Sequence, residues 1–492
     1  MDLADLLPSG SSAHIDGAYA REAKGARFEV KDPARGTALA TLISTPADTI
    51  DIAVESARKA QAGWAEWPPE ERAAILRRAA QLLRARRARL AALEVRNTGR
   101  PIAEIGPIDV ETAAQGFEFF AALALADEHR ARDYPTGTLV MRREPLGVCA
   151  GIGAWNYPLQ IAAWKAAPAL AAGNAMVFKP SEKTPLSALL LAELLSEAGL
   201  PPGLFNVVLG AGDVGAALVS HHGVDHVAMT GSVATGQKIL GAAAATVKIT
   251  SLELGGKSPF LILEDADMEQ AARLAVIGNF MSCGEICGNT TRVFVPRARE
   301  SELLERVAEI ATAIRTGDPL TEATQNGALI DLAHRDKVHG YVQSAVQEGA
   351  EAICGGIYAE VKELPHGAFY LPTVLARCRD NMRAVREEIF GPVMAVLSYE
   401  DEDEAVTRAN ATEFGLCAAV ASRDHGRAQR VARRLEAGTV WVNAMLDLPV
   451  GMGYGGFKQS GIGYENGVET LRDHQRVKGI YTGLNTVELP FT

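Results

Sequence analysis

From about residue 146 the chain alternates short apolar, β-branched runs with helix-like segments, and few folds accept that rhythm. The runs are 148–152, 175–178, 205–209, 226–229 and 247–252, and between them lie 185–198, 214–221 and 234–245. A strand that passes into a helix and back into a strand builds a parallel sheet with helices on its faces. A second set follows at 260–263, 292–295, 394–398, 418–421 and 439–442, again with helical stretches between. The simplest reading is an α/β protein of two such units in series. Ahead of them, 48–66 and 70–94 read as helices. In the second, Ile75, Leu76, Leu82, Leu83 and Leu90 recur at helical spacing until Asn97-Thr98-Gly99-Arg100-Pro101 stops it. Two stretches lie outside the alternation: 129–147 reads as an extended ribbon and 477–481 as a strand. They point to a small accessory sheet used for contact between copies.

A net charge of −11 excludes a general nucleic-acid or anionic-membrane binder, which needs a basic face. No apolar run approaches the ~20 residues of a membrane span. Met1-Asp2-Leu3-Ala4-Asp5 lacks the basic flank and apolar core of a signal peptide, so a cytoplasmic location is expected. The six cysteines show no framework spacing and no CxxC, which favours reduced thiols. No metal is expected: the ten histidines form no HExxH-like pair, and His221-His222 with His226 is the one local cluster.

Several strings carry chemistry. Cys287, in Gly284-Glu285-Ile286-Cys287-Gly288-Asn289, falls in a small polar loop between a helix and a strand, where substrate can approach a thiol. Glu253, between Leu252 and Leu254 at a strand end, is placed for burial that raises its proton affinity and suits a general base. Asn156, in Trp155-Asn156-Tyr157-Pro158, follows the first strand of the alternation. Ligands of open parallel sheets collect at such strand ends, and an amide there can donate to an oxyanion. Taken singly, each has a plain alternative: a buried thiol, a glutamate paired with Lys257, a turn asparagine. Gly210-Ala211-Gly212-Asp213-Val214-Gly215 matches GxGxxG, but the next strand ends in Thr230-Gly231-Ser232 rather than in an acid. The pyrophosphate of a dinucleotide is therefore not placed on it.

Asn156, Lys179-Pro180-Ser181-Glu182, Thr230-Gly231-Ser232 with Gly236, Glu253-Leu254-Gly255-Gly256-Lys257, Gly284-x-x-Cys287, Glu388-Ile389-Phe390-Gly391-Pro392-Val393 and Gly455-Gly456-Phe457-Lys458-Gln459-Ser460-Gly461 together resemble, in order and spacing, the aldehyde dehydrogenase superfamily, from about residue 25 to 480. The resemblance implies the aldehyde dehydrogenase fold. It comprises a Rossmann-like NAD domain (1–128 and 148–258), an α/β catalytic domain (259–470) and a β oligomerisation arm (129–147 and 471–492). It implies Cys287 as nucleophile, forming a thioester. Glu253 is then the base that activates the deacylating water, and Asn156 with the Cys287 backbone N–H the oxyanion site. Lys179, also counted in the catalytic set, and Glu182 are the adenosine-ribose contacts. Ser232 is the pyrophosphate contact at a helix N-terminus. Glu388 and Phe390 are the nicotinamide-ribose ligand and the nicotinamide neighbour. Ile152, Trp155, Ser181, Gly212, Gly231 and Leu254 complete the cofactor site. The implied cofactor is NAD, because Glu182 accepts from a free ribose 2′-hydroxyl and repels a 2′-phosphate; Lys179 nearby leaves NADP open. The glutamate at 253 implies free acid rather than an acyl-coenzyme A as product. A homodimer or homotetramer is implied.

Within the superfamily, Asn156-Tyr157-Pro158-Leu159-Gln160 with Trp164, and Asn279-Phe280-Met281-Ser282-Cys283-Gly284, resemble the betaine-aldehyde and amino-aldehyde dehydrogenases. Tyr157, Trp164, Met281, Ile286 and Tyr454 are then the expected substrate walls. Tyr157 and Trp164, seven apart, are expected on one helix facing one tunnel. Rings around a quaternary ammonium attract it at ~0.5–2 kcal/mol each. Gly453-Tyr454 stand where the family carries proline and an apolar or aromatic residue, Tyr464 where it carries arginine, and 444–452 departs from the favoured group. Cys283 is a candidate redox partner of Cys287. The alternatives are a dehydrogenase of a semialdehyde or simple aliphatic aldehyde, a silent protein of the same fold, and a cysteine hydrolase.

Overall fold

The computed structural model describes residues 10–21, 24–126 and 130–484, so the N-terminal pentapeptide and the last residues of the expected arm lie outside the described residues. One eight-stranded sheet runs, edge to edge, Ala18–Ala20, Ala13–Ile15, Phe205–Val208, Ala175–Lys179, Val148–Ile152, His226–Thr230, Ile249–Glu253 and Gly461–Ile462. Its five central strands are parallel. Ile152 lies beside Lys179 and Met229, and Thr230 beside Glu253, so the functional strings leave the sheet along one edge. The antiparallel edge strand pairs Gly461 with Glu253 and brings the chain's last third against that edge. The second sheet runs Glu351–Cys354, Thr373–Ala376, Val393–Tyr399, Arg292–Pro296, Pro259–Ile262, Cys417–Ala421 and Thr439–Val442, parallel but for its first pair. A third sheet of three strands joins Gln475–Gly483, Gly137–Pro145 and Arg130–Tyr134.

The helix Pro158–Ala171 is apolar almost all round and is buried on nearly every residue, as such a helix must be. It packs against the helix Glu111–Ala126 and the sheet, in a core that also holds Trp64, Phe117, Phe120 and Phe178. Its Lys165 is tolerated there by an ion pair with Glu465.

Three expectations need correction. The helix expected over 70–94 is two, Pro69–Ala85 and Arg87–Thr98, broken at Arg86 (φ −105°, ψ 16°). Arg84 pairs with Glu111 and Glu118 while Arg86 pairs with Glu197, so successive arginines are anchored on different elements. The strand expected from 247 begins at Ile249: Val247, though β-branched, is a turn residue, 89% exposed at φ 56°. Tyr157 is not on the helix of Trp164; it precedes it with φ −131° and ψ 60°. The two rings therefore do not sit two turns apart on one face. Among the described residues no helix is long and apolar enough to cross a membrane.

Candidate active site

The loop that carries Cys287 is held by its neighbours in a conformation it does not adopt freely. Ser282, Cys283 and Gly284 all have positive φ (51°, 57° and 74°), which costs the first two residues backbone strain. A Cβ on Gly284 would lie 2.2 Å from the Gly391 carbonyl carbon, so glycine alone fits. The strain is offset by bonds on every side. The Ser282 N–H and hydroxyl donate to Glu104 (2.9 and 2.7 Å), and its hydroxyl also meets that of Tyr157 (2.7 Å). Cys283 Sγ accepts the Gly327 N–H at 3.2 Å, and the Glu285 carboxyl accepts the Ile330 N–H at 3.0 Å.

Asn156 is fixed from two directions. Its amide donates to the Glu285 carbonyl (2.9 Å), and its own carbonyl accepts from Arg100 (2.9 Å). Arg100 is fully buried, bonded twice to Asp109 (2.7 and 3.0 Å), and lies 3.6 Å over the Tyr157 ring. An amide nitrogen carries two hydrogens, so one N–H of Asn156 remains to serve an oxyanion.

Glu253 ends its strand almost wholly buried, with Oε1 lacking a hydrogen-bond partner. Burial first, and the Glu465 carboxylate second, push its proton affinity well above the ordinary carboxylate range, with Lys165 opposing. Cys287 is half-buried. Its thiol is pushed up to about 12 by burial and by the Glu253 charge, against a bond from the Tyr454 hydroxyl.

Cys287, Glu253 and Asn156 line one cavity of ≈ 790 Å³. Along it, Lys179 Nζ donates to the carbonyls of Pro180 (2.7 Å) and Gly210 (2.8 Å), 4.0 Å from Glu182. Ser232 caps the helix Val233–Ala244, its hydroxyl accepting the Thr235 N–H. Glu388 accepts the Gly256 N–H (3.1 Å), and a Cβ on Gly255 would sit 2.3 Å from that carboxylate. Phe390 meets Trp155 edge-on at 5.1 Å, and its carbonyl faces His334 Nε2 at 2.7 Å. Ile152, Ser181, Gly212, Gly231 and Leu254 also line the cavity, as does Tyr157. Trp164, Met281, Ile286 and Tyr454 do not.

A model of the aldehyde dehydrogenase family matches residues 19–480. The chain belongs to the aldehyde dehydrogenase family. This aldehyde dehydrogenase is thus an NAD(P)-dependent oxidoreductase. It is 50% identical over 481 residues to a betaine aldehyde dehydrogenase of Mesorhizobium japonicum, covering 98% of this chain and 99% of that protein. Among solved structures it resembles a betaine aldehyde dehydrogenase from Staphylococcus aureus in complex with NAD+ (36% identity, TM-score 0.96, 100% of this chain and 98% of that one). It also resembles an NAD+ complex of an aldehyde dehydrogenase from Bacillus cereus (35% identity, TM-score 0.95, 98% of each chain).

Sequence reading missed part of this aldehyde dehydrogenase's site. Glu465 lines the cavity, and its partner Lys165 was visible in the sequence as an interruption of an apolar run. His334 and Lys337, one turn apart on the helix Leu332–Gln347, line it too. The thiol linked to Cys287 through a shared partner is Cys417, not Cys283. His226 is not grouped with His221 and His222. Its ring nitrogen lies with Cys149 Sγ and a nitrogen of His474, all within 4.8 Å of one another and buried. Burial first, and the Lys165 charge after it, lower the proton affinity of both rings.

Proposed function

We propose that this enzyme oxidises betaine aldehyde or a closely related amino-aldehyde to its carboxylate with NAD+, through a thioester on Cys287. The observation that carries the reading is that a thiol, a buried carboxyl and a free amide N–H share one cavity with a row of dinucleotide-type contacts.

The residues present fit the cofactor. The start of the helix Val233–Ala244 offers free backbone N–H groups to a pyrophosphate. Lys179 and the half-exposed Glu182 suit the adenosine ribose, Glu388 the second ribose, and Phe390 the nicotinamide. When bound, NAD+ supplies the acceptor for the two electrons and hydrogen that the aldehyde loses. The protein does the rest. Cys287 gives up its proton to solvent as substrate enters, and the thiolate attacks the carbonyl carbon. The oxyanion of the adduct is met by the remaining Asn156 N–H and the Cys287 backbone N–H. Glu253 then removes a proton from the water that hydrolyses the thioester, and the buried Lys165–Glu465 pair sets the charge around it.

The substrate assignment draws on the half-identical relative named betaine aldehyde dehydrogenase and on the Tyr157 ring in the cavity wall. Arg100 covers one face of Tyr157, so this ring offers a substrate at most its other face. The test is a series of catalytic efficiencies for betaine aldehyde, aminobutyraldehyde, a semialdehyde and aliphatic aldehydes, read as NADH formation. Betaine aldehyde should exceed an aliphatic aldehyde of equal length by about tenfold, the worth of one good ring–cation contact. A semialdehyde or aliphatic aldehyde at the top would overturn the assignment.

We further read 1–128 with 148–258 as the cofactor domain, 259–470 as the catalytic domain and 129–147 with 471–492 as an arm that pairs two or four copies. Exposed Tyr134, Met141, Val477, Ile480 and Tyr481 on the third sheet support the arm's role. Sedimentation should show a dimer or tetramer that Ile480→Asp weakens. The free thiols fit a reducing cytoplasm.

A further inference from the structure

Tyr454 was expected to wall the substrate, but the fold turns its hydroxyl to sulfur. The oxygen lies 3.4 Å from Cys287 Sγ and 3.5 Å from Cys417 Sγ. Its position is set by backbone: the Tyr454 N–H donates to the Glu465 carbonyl (2.8 Å), and the Glu465 N–H returns to the Tyr454 carbonyl (2.7 Å). Cys417 opens the strand Cys417–Ala421, and its N–H donates to the Ser258 hydroxyl (3.2 Å). Gly288, next to the reactive cysteine, leaves room for the arrangement. A Cβ there would lie 3.0 Å from the Tyr454 oxygen and 3.4 Å from Cys417 Sγ.

The direction of the bonds follows from who can lose a proton. Cys417 and Tyr454 are both buried, and burial holds the proton on each. Cys287 borders the cavity, where a base faces it. We propose that Cys417 S–H donates to the Tyr454 oxygen and Tyr454 O–H to Cys287 Sγ, a donor chain that holds the nucleophile in one orientation and stabilises its thiolate. Tyr454 is then a catalytic residue, in contact with the reacting sulfur, and Cys417 a positioning residue behind it. The other charged groups that face Cys287 are Glu253 from its strand end and Glu388 from the segment before Phe390, and both oppose the thiolate. The Tyr454 hydroxyl is the side chain that favours it. Polarised in series, the two bonds reinforce each other.

The proposal rests on Cys287 being the nucleophile, and the test separates the two. In the full-length enzyme, the rate of Cys287 alkylation by iodoacetamide is followed against pH by mass spectrometry of the Cys287 peptide. Tyr454→Phe keeps the ring and removes the hydroxyl. Its alkylation profile should shift upward by about one pH unit, giving a roughly tenfold slower rate on the rising limb. Cys417→Ala should shift the profile the same way by less. A Tyr454→Phe profile that overlays the wild type overturns the chain. If that variant does not fold, an unshifted Cys417→Ala profile overturns it instead. Oxidation that survives in Cys287→Ala sinks the nucleophile assignment, whatever the profiles show.

Discussion

Along the proposed cofactor wall, Lys179, Ser232 and Glu388 each already hold a hydrogen bond to the protein, whereas at the proposed reactive end Glu253 leaves a buried carboxyl oxygen without one. The wall is preorganised: its polar groups are fixed before a ligand arrives, so binding orders little. The reactive end is frustrated. Two carboxyls, Glu253 and Glu465, face each other near a single lysine, and a thiol sits where its anion is disfavoured. A site that binds is satisfied in the free protein; a site that reacts keeps groups whose needs are met only as substrate and water enter.

That contrast can be broken. Replacing the thiol, Cys287→Ala, should lower aldehyde-dependent NADH formation at least ~10⁴-fold while cofactor affinity, followed by fluorescence titration, stays near the wild-type value. A large loss of affinity would mean that the two parts are not separate. Glu253→Gln should lower steady-state turnover by roughly 10²–10⁴-fold yet keep a first burst of NADH equal to the enzyme present, since the acyl-enzyme still forms. Unchanged turnover would remove its role as base.

The same variant tests the frustration itself. The Glu253 carboxyl holds its proton more tightly folded than unfolded. The folded state therefore binds more protons above the ordinary carboxylate range, and wild-type stability falls as pH rises through that interval. Glutamine carries no such charge. Glu253→Gln should match the wild type in denaturant midpoint below the ordinary carboxylate range and exceed it at neutral pH and above, by on the order of 1–3 kcal/mol. A variant less stable at every pH would show the carboxylate to be well satisfied. The smallest effect belongs to the wall. Glu182→Gln removes one negative charge near the expected ribose 2′-position and should raise the NADP-to-NAD ratio of catalytic efficiencies roughly five- to tenfold. No change would place the 2′-position elsewhere.

Much of the wall could be read from the chain because it is built locally. Lys179 and Glu182 lie on one strand end and the turn after it, and Ser232 is the cap of the third helix after them; short segments carry both the fold and the contact. The reactive end was read only in part. Cys287, Glu253 and Asn156 each stand in a recognisable string, but Glu465, Lys165, Cys417 and the sulfur-bound hydroxyl of Tyr454 come from distant segments with no local signature. The break at Arg86 was hidden too, since no glycine or proline marks it in the chain.

The order of apolar runs, their spacing and the short strings at strand ends determined two largely parallel sheets and the loop that carries the proposed nucleophile, because hydrophobic periodicity and turn chemistry act between near neighbours. What the folded chain alone decided was the electrostatic setting of that thiol. The edge strand Gly461–Ile462, paired with the end of the Glu253 strand, carries Glu465 to Glu253 and Tyr454 to sulfur. Burial and charge depend on who is near in space, and that proximity exists only once the sheet has closed.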